Sequence, residues 1–180
     1  MYKLVKQYRY KGYNYAQSGL YFVTIVTKER MHYFGEIINN EMVYSDIGTY
    51  TKENILKFVP NENFQNPYIK NDSKYIISID EWTILPNHIH LIVEIFNTVI
   101  EEDEEETYDE NLGIRPLQIG SIGSFINHFK GNIKKYSNAL NVEFHWQSRF
   151  HDRIIRDQNE YYSIKQYIKN NVENFENDVP

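Results

Sequence analysis

The chain has no cysteine among its 180 residues, so disulfides and thiolate metal sites are excluded. It also lacks any apolar run approaching the roughly 20 residues that a membrane-spanning helix needs. The opening stretch, MYKLVKQYRYKGYNYAQ, is basic and aromatic and has no apolar centre of the kind a signal peptide carries. The expected location is therefore cytoplasmic, with no membrane partner. Bases are in deficit too. There are 19 Lys and Arg against 25 Asp and Glu, for a net charge of −6, which at first sight disfavours a nucleic-acid partner. The deficit is local, however. Eight acids lie in EEDEEETYDE, residues 101–110, and without them 17 acids face 19 bases. The body is mildly basic and carries an acidic appendage. Runs of like charge cannot bury a core, so about 97–118 is expected to be a disordered acidic loop within a single domain, 1–180.

The rest of the chain alternates between the two apolar periods. GLYFVTIVT (19–27) is rich in aromatic and β-branched residues and reads as a strand. Asn39-Asn40 between two short extended pieces predicts a hairpin. SDIGTYTKENILKFV begins with Ser45 as a cap, spaces Ile47, Tyr50, Ile55 and Val59 along a helix and meets Pro60. KYIISIDEWTIL (74–85) and HIHLIVEIF (88–96) are strands joined by a Pro86-Asn87 turn. Ile122, Phe125, Ile126, Phe129, Ile133 and Tyr136 place a helix over 119–136. FHWQSRFHDRIIR (144–156) reads as a short strand region. DQNEYYSIKQYIKNN (157–171) is a helix opened by Asp157, with Glu160 three residues on, close to a capping box. The order β, hairpin, α, β, β, α, β, α fits an α+β sandwich with an antiparallel sheet.

Within the fifth strand, period two puts His88 and His90 on one face with Ile92 and Glu94. Two imidazoles side by side on a rigid strand can hold one divalent ion and leave coordination positions open for catalysis. A third ligand must come from elsewhere. A His-x-His pair is also common as two half-buried, hydrogen-bonded side chains. On the last helix, Tyr167 and Asn171 share a face at i, i+4. They are either a tyrosine nucleophile beside an amide oxygen ligand, or a packing residue and a C-terminal cap. Tyr162 and Gln166 have the same spacing, so spacing alone leaves both pairs open. Arg149, Arg153 and Arg156, interleaved with Phe144, Trp146 and Phe150, are either solvated edge charges or a groove for a nucleic-acid backbone with stacking rings. Lys130, Lys134 and Lys135 on the helix over 119–136 add to that basic surface.

Five blocks in order, YNYAQSGLYFVTIVTKERMHYFGEI, LPNHIHLIV, IGSFINHFKGNIKKY, FHWQSRFHDRIIRD and YIKNN, together give a pattern that resembles the single-tyrosine HUH transposases, and among them the REP-associated tyrosine transposase branch. The resemblance covers nearly the whole chain outside the acidic segment. It implies a ferredoxin-like α+β sandwich, an antiparallel sheet with helices on one face plus a C-terminal helix carrying the tyrosine. His88 and His90 match the HUH pair, Tyr167 the nucleophile and Asn171 the polar residue one turn later. Val172 departs from the pattern, which has proline there. The implied activity is metal-dependent nicking and rejoining of single-stranded or hairpin DNA through a 5′-phosphotyrosine intermediate. Mg²⁺ or Mn²⁺ is the expected ion, although two imidazoles also suit Zn²⁺ or Ni²⁺. Monomer and homodimer both remain open. The competing expectations are a hairpin-binding module derived from a transposase that no longer cuts, and a metal phosphoesterase that uses water instead of tyrosine.

Overall fold

The computed structural model describes residues 17–61, 75–97 and 119–175. The acidic stretch 101–110 and residues 98–118 around it lie outside them, as does most of the basic N-terminal segment. Among the described residues, six strands and three α-helices follow one another: β1 (Gly19–Val26), β2 (Gly35–Ile38), β3 (Glu41–Tyr44), α1 (Asp46–Leu56), β4 (Tyr75–Leu85), β5 (His88–Asn97), α2 (Ile122–Ala139), β6 (His151–Ile155) and α3 (Gln158–Lys169). The main sheet runs β4-β5-β1-β6 and its paired strands are all antiparallel. With β2 and β3 set aside as a separate two-stranded ribbon, the remainder is the βαββαβ path of a ferredoxin-like fold.

The apolar periods decide which side of the sheet each helix covers. Ile89, Leu91, Val93 and Ile95 of β5 share a core with Tyr21, Val23 and Ile25 of β1 and with Ile47, Ile55, Phe125, Ile126 and Ile133 of α1 and α2. The alternate residue Ile92 faces the other way. It packs with Ile155 and with Ile168 of α3, flanked by Leu20, Phe22, Tyr161 and Ile164. The expected helices on one face are α1 and α2, and α3 covers the opposite face, the one that carries both histidines. Burying one isoleucine such as Ile168 contributes on the order of 1.5–3 kcal/mol, enough to seat a short helix.

Local chemistry sets the boundaries. Asn39 and Asn40 both have positive φ, 52° and 62°, as a two-residue hairpin turn of the primed kind requires. Ser45 caps α1 by accepting from Gly48 N at 3.0 Å, and Ser121 caps α2 by accepting from Ser124 N at 3.2 Å. That second cap explains why α2 begins at Ile122 instead of 119: Gly120, at φ +79°, turns the chain first. Asp157 caps α3 by accepting from Glu160 N at 2.9 Å, while Glu160 reaches back one residue further than a capping box, accepting from Arg156 N at 2.9 Å.

The short strand region expected over 144–156 holds β6 at its end and an isolated bridge before it. Thr24 pairs with His151, whereas Thr27 bridges to Trp146. Three steps from Thr24 to Thr27 therefore face five from His151 back to Trp146, and two extra residues bulge from the sheet edge. Such bulges keep an edge from pairing onward and re-aim side chains. This one carries Arg149.

Candidate active site

β4 and β5 are joined by Pro86-Asn87, and that turn is fixed from outside. Thr27 donates to Asn87 O through both its N–H and its hydroxyl, each at 2.9 Å, and Phe34 N donates to Pro86 O at 3.1 Å. The next residues, His88 and His90, are 0% and 1% exposed. Burying two imidazoles requires partners for their nitrogens, and each has them. His88 Nδ1 lies 2.6 Å from Asn87 Oδ1. His90 Nδ1 lies 2.8 Å from Oγ1 of Thr24, its cross-strand neighbour on β1. The two Nε2 atoms face each other at 3.1 Å.

α3 completes the site. Its Ile168 is seated in the small core, which turns Tyr167 toward β5. The Tyr167 hydroxyl stands 3.2 Å from His90 Nε2, and the tyrosine remains 41% exposed. Phe22 of β1 stacks on the His90 ring with centroids 5.3 Å apart and meets the Tyr167 ring edge-on at 6.0 Å. Past the helix, Phe175 lies over His88 at 6.2 Å. Asn171 comes midway in sequence between these two contacts. It is 2% exposed, and neither end of its side-chain amide has a hydrogen-bond partner. A buried amide with both ends unmet is costly unless a ligand supplies them.

The other amide–phenol pair of α3 is elsewhere. Tyr162 is 55% exposed and accepts from Gln158 at 3.3 Å. The helix is held further by polar contacts at its outer edge. Asp80, displaced by an irregularity in β4 between Ile79 and Glu81, accepts from the Tyr161 hydroxyl at 2.7 Å and from Lys165 at 3.0 Å. Lys165 also donates to Tyr161 Oη at 2.9 Å, and Lys169 pairs with Glu81 at 3.5 Å. The bond to Tyr161, with Asp80 adding to it, raises the Lys165 pKa, and burial raises that of Tyr161.

The basic residues singled out in the sequence divide into two groups. Arg149 is exposed on the edge bulge, and Arg153 projects from β6 opposite Phe22 and pairs with Glu160. Arg156 is exposed just before α3. On α2, Lys130 donates to Gln147 O at 2.7 Å and Lys134 to Phe144 O at 2.6 Å, so both tie the helix to the segment before the bulge. Burial lowers the Lys130 pKa. Lys135 is exposed. Sequence reasoning did not single out Thr24, Asn87, Phe22 or Phe175. Thr24 and Asn87 carried a faint signal, each being a polar residue inside or against an otherwise apolar strand.

A divalent ion fits this site on its donors. Ligand nitrogens about 2.1 Å from one ion lie about 3 Å apart when adjacent in an octahedron, and the Nε2 pair is 3.1 Å apart. Both imidazoles have Nδ1 engaged by an oxygen, the usual arrangement behind a metal-binding histidine. Among the described residues no group of three His, Cys, Asp or Glu is assembled for a metal, and Asn171 has a buried amide oxygen without a partner that would suit a further ligand.

An uncharacterized protein of Haemophilus influenzae (strain ATCC 51907 / DSM 11121 / KW20 / Rd) is 34% identical to the chain over 173 residues, covering 91% of this chain and 85% of that protein. The chain belongs to that protein's family. No family model matches the chain. Among solved structures, a REP-associated tyrosine transposase bound to a REP hairpin aligns with 95% of this chain and 74% of its own, at 18% identity and a TM-score of 0.51. The chain thus shares its α+β fold with that transposase. Among the described residues no helix is long and apolar enough to cross a membrane.

Proposed function

We propose that the protein nicks and rejoins single-stranded DNA, with Tyr167 as nucleophile, His88, His90 and Asn171 as ligands of one Mg²⁺ or Mn²⁺ ion, and hairpin-forming DNA as substrate. The observation that carries this reading is the Tyr167 hydroxyl at 3.2 Å from His90 Nε2, itself 3.1 Å from His88 Nε2. A phenol beside a pair of ligand nitrogens, in the fold of a hairpin-bound transposase, suits phosphoryl transfer better than a purely binding role.

When bound, the ion would polarise a phosphoryl oxygen and offset its negative charge. The chain's own residues do the rest. Tyr167 Oη attacks phosphorus as its proton leaves. The bond from phosphorus to the 3′ oxygen breaks, and that oxygen takes up a proton to become a 3′ hydroxyl. A 5′-phosphotyrosine remains and retains the ester, so a 3′ hydroxyl can reverse the step without an external energy source. Alignment of the phenol rests on α3 itself, held by Ile168 in the small core and by Asp80 through Tyr161 and Lys165. Arg149 on the edge bulge, Arg153 and Arg156 are the exposed cations for the strand's phosphates, with Lys135 on α2.

The test is a gel. Protein, labelled hairpin single-stranded DNA and Mn²⁺ are mixed and run in SDS. A stable protein–DNA adduct is expected in the wild type and absent from Tyr167→Phe. Cleavage without an adduct that survives Tyr167→Phe would point to a water-using phosphoesterase. Binding without cleavage would point to a hairpin-binding module.

A further inference from the structure

Past the end of α3, the chain brings Phe175 back over the site. Its ring lies over that of His88 at an interplanar angle of 24° with 6.2 Å between centroids. The same ring meets His32 at 66° and 5.9 Å. Phe175 is half-buried and His32 is exposed. A run of three rings, His88, Phe175 and His32, therefore leads from the paired Nε2 atoms to the surface. The loop that presents His32 is fixed to the same turn as the histidine pair. Thr27 Oγ1 stands 2.8 Å from Met31 O and 2.9 Å from Asn87 O, so one hydroxyl ties the residue before His32 and the residue before His88. Met31 N donates back to Lys28 O at 3.2 Å. Between them Glu29 and Arg30 both have φ of 54°, a left-handed conformation that residues other than glycine keep only where their surroundings impose it.

We propose that Phe175 and His32 form a stacking platform for one nucleobase of the single strand, the base next to the phosphate held at the imidazole pair. Charge argues for a base here instead of more backbone. The charged residues of the two segments, Lys28, Glu29, Arg30 and Glu173, cancel. A phosphate gains little at such a corner, whereas a flat, uncharged ring gains stacking area on each aromatic surface it meets. The backbone then stays at the imidazoles, and the base turns from it onto the rings. Every base has a π face, so the platform grips the strand with little preference for sequence. The basic edge at β6 and this corner divide the strand between them, phosphates to the first and a base to the second.

This inference rests on the single-stranded DNA reading above, and the experiment separates the two. Fluorescein-labelled oligothymidylate and a labelled abasic strand of the same length are titrated with protein in EDTA, and binding is read by fluorescence anisotropy, so neither the ion nor cleavage enters. Phe175→Ala should bind oligothymidylate about 5-fold to 150-fold more weakly than the wild type, and the abasic strand equally well. Phe175→Tyr, which keeps the ring, should stay close to the wild type. His32→Ala changes an exposed side chain on a separate segment. It should act in the same direction, and it carries the test if Phe175→Ala does not fold. Wild-type affinity for oligothymidylate in folded Phe175→Ala, or in His32→Ala where Phe175→Ala does not fold, overturns the platform. An equal loss toward both strands overturns it too, since that marks a structural role. Tighter binding by Phe175→Ala does the same, by making the ring a cap that the strand displaces. If the wild type binds neither strand, the DNA reading falls and the platform falls with it.

Discussion

Tyr167 of α3 and His90 of β5 meet at 3.2 Å across the face of the sheet that α1 and α2 leave uncovered. Because the meeting is between side chains on two rigid elements, removing the phenol oxygen alone should test the chemistry without disturbing the scaffold. Tyr167→Phe should abolish the covalent DNA adduct and change stability by no more than the roughly 0.5–1.5 kcal/mol of one hydrogen bond. Tyr162→Phe, whose hydroxyl is tied to Gln158 instead, should leave adduct yield unchanged. The reverse outcome would exchange the roles of the two tyrosines.

The paired imidazoles should behave as one site. Calorimetric titration with Mn²⁺ should show a single binding event in the wild type and none in the His88→Ala/His90→Ala variant, with far-UV circular dichroism confirming that the variant is folded. Equal binding by both proteins would move the ion elsewhere.

The seat of α3 should govern activity through alignment. Ile168 is 1% exposed, so Ile168→Ala should cost about 2–5 kcal/mol in urea unfolding. Adduct formation should fall as well, because a displacement of about 1 Å at a nucleophile can cost a hundredfold. Full activity in the folded variant would show that α3 does not need this anchor.

The Lys165–Asp80 contact offers a pH test. The Lys165 pKa is raised in the fold, mainly by its hydrogen bond to Tyr161 and then by Asp80. A raised cation stabilises fully below its unfolded pKa of about 10.4, and the gain is lost as pH rises from there through the folded value. Lys165→Met should therefore be less stable than the wild type by about 0.5–1 kcal/mol at pH 7 and pH 9. The gap should close at more alkaline pH. A gap constant across that range would mean that the charge contributes nothing.

DNA affinity should depend on salt. With Arg149, Arg153 and Arg156 exposed on and beside β6, binding of single-stranded hairpin DNA should weaken by about one to three orders of magnitude between low and moderate salt. Arg149→Ala should flatten that slope, whereas Lys130→Ala and Lys134→Ala should act mainly on stability, since both ammonium groups bond to carbonyls of residues 144–147. Salt-independent binding would rule out the basic edge as the contact surface.

Most of the fold was legible because its elements obey clean periods. β5 alternates one apolar face against α1 and α2 with a second face bearing His88, His90 and Ile92, and that alternation alone assigned the histidines to one side. The primed turn at Asn39-Asn40 and the caps at Ser45 and Asp157 were equally local. The break within 144–156 was not legible, because a bulge depends on which residues of β1 the segment meets. The bonds that Lys130 and Lys134 of α2 make to carbonyls were hidden for the same reason. Their carbonyl partners lie 10 and 17 residues away, beyond any helical period. At the site, i, i+4 spacing alone offered Tyr162 and Tyr167 on equal terms, and the YIKNN block favoured Tyr167. In the fold Tyr167 lies 3.2 Å from His90 Nε2 while Tyr162 meets Gln158, and the contacts of Thr24 and Asn87 with the imidazoles are visible only once two strands and a turn are side by side.

The Tyr167–His90 contact joins residues 77 positions apart, and this gives the site an order of birth. At about 5–20 residues per second of synthesis, the imidazoles are made about 4–15 s before the phenol. β1, β4 and β5 all precede α2, so the strands that align the histidines are complete while α3 does not yet exist. A nascent chain passes through a stage with its ligand pair made and no hydroxyl over it. A chain released after His90 but before Tyr167 would keep the pair and lack the hydroxyl for good.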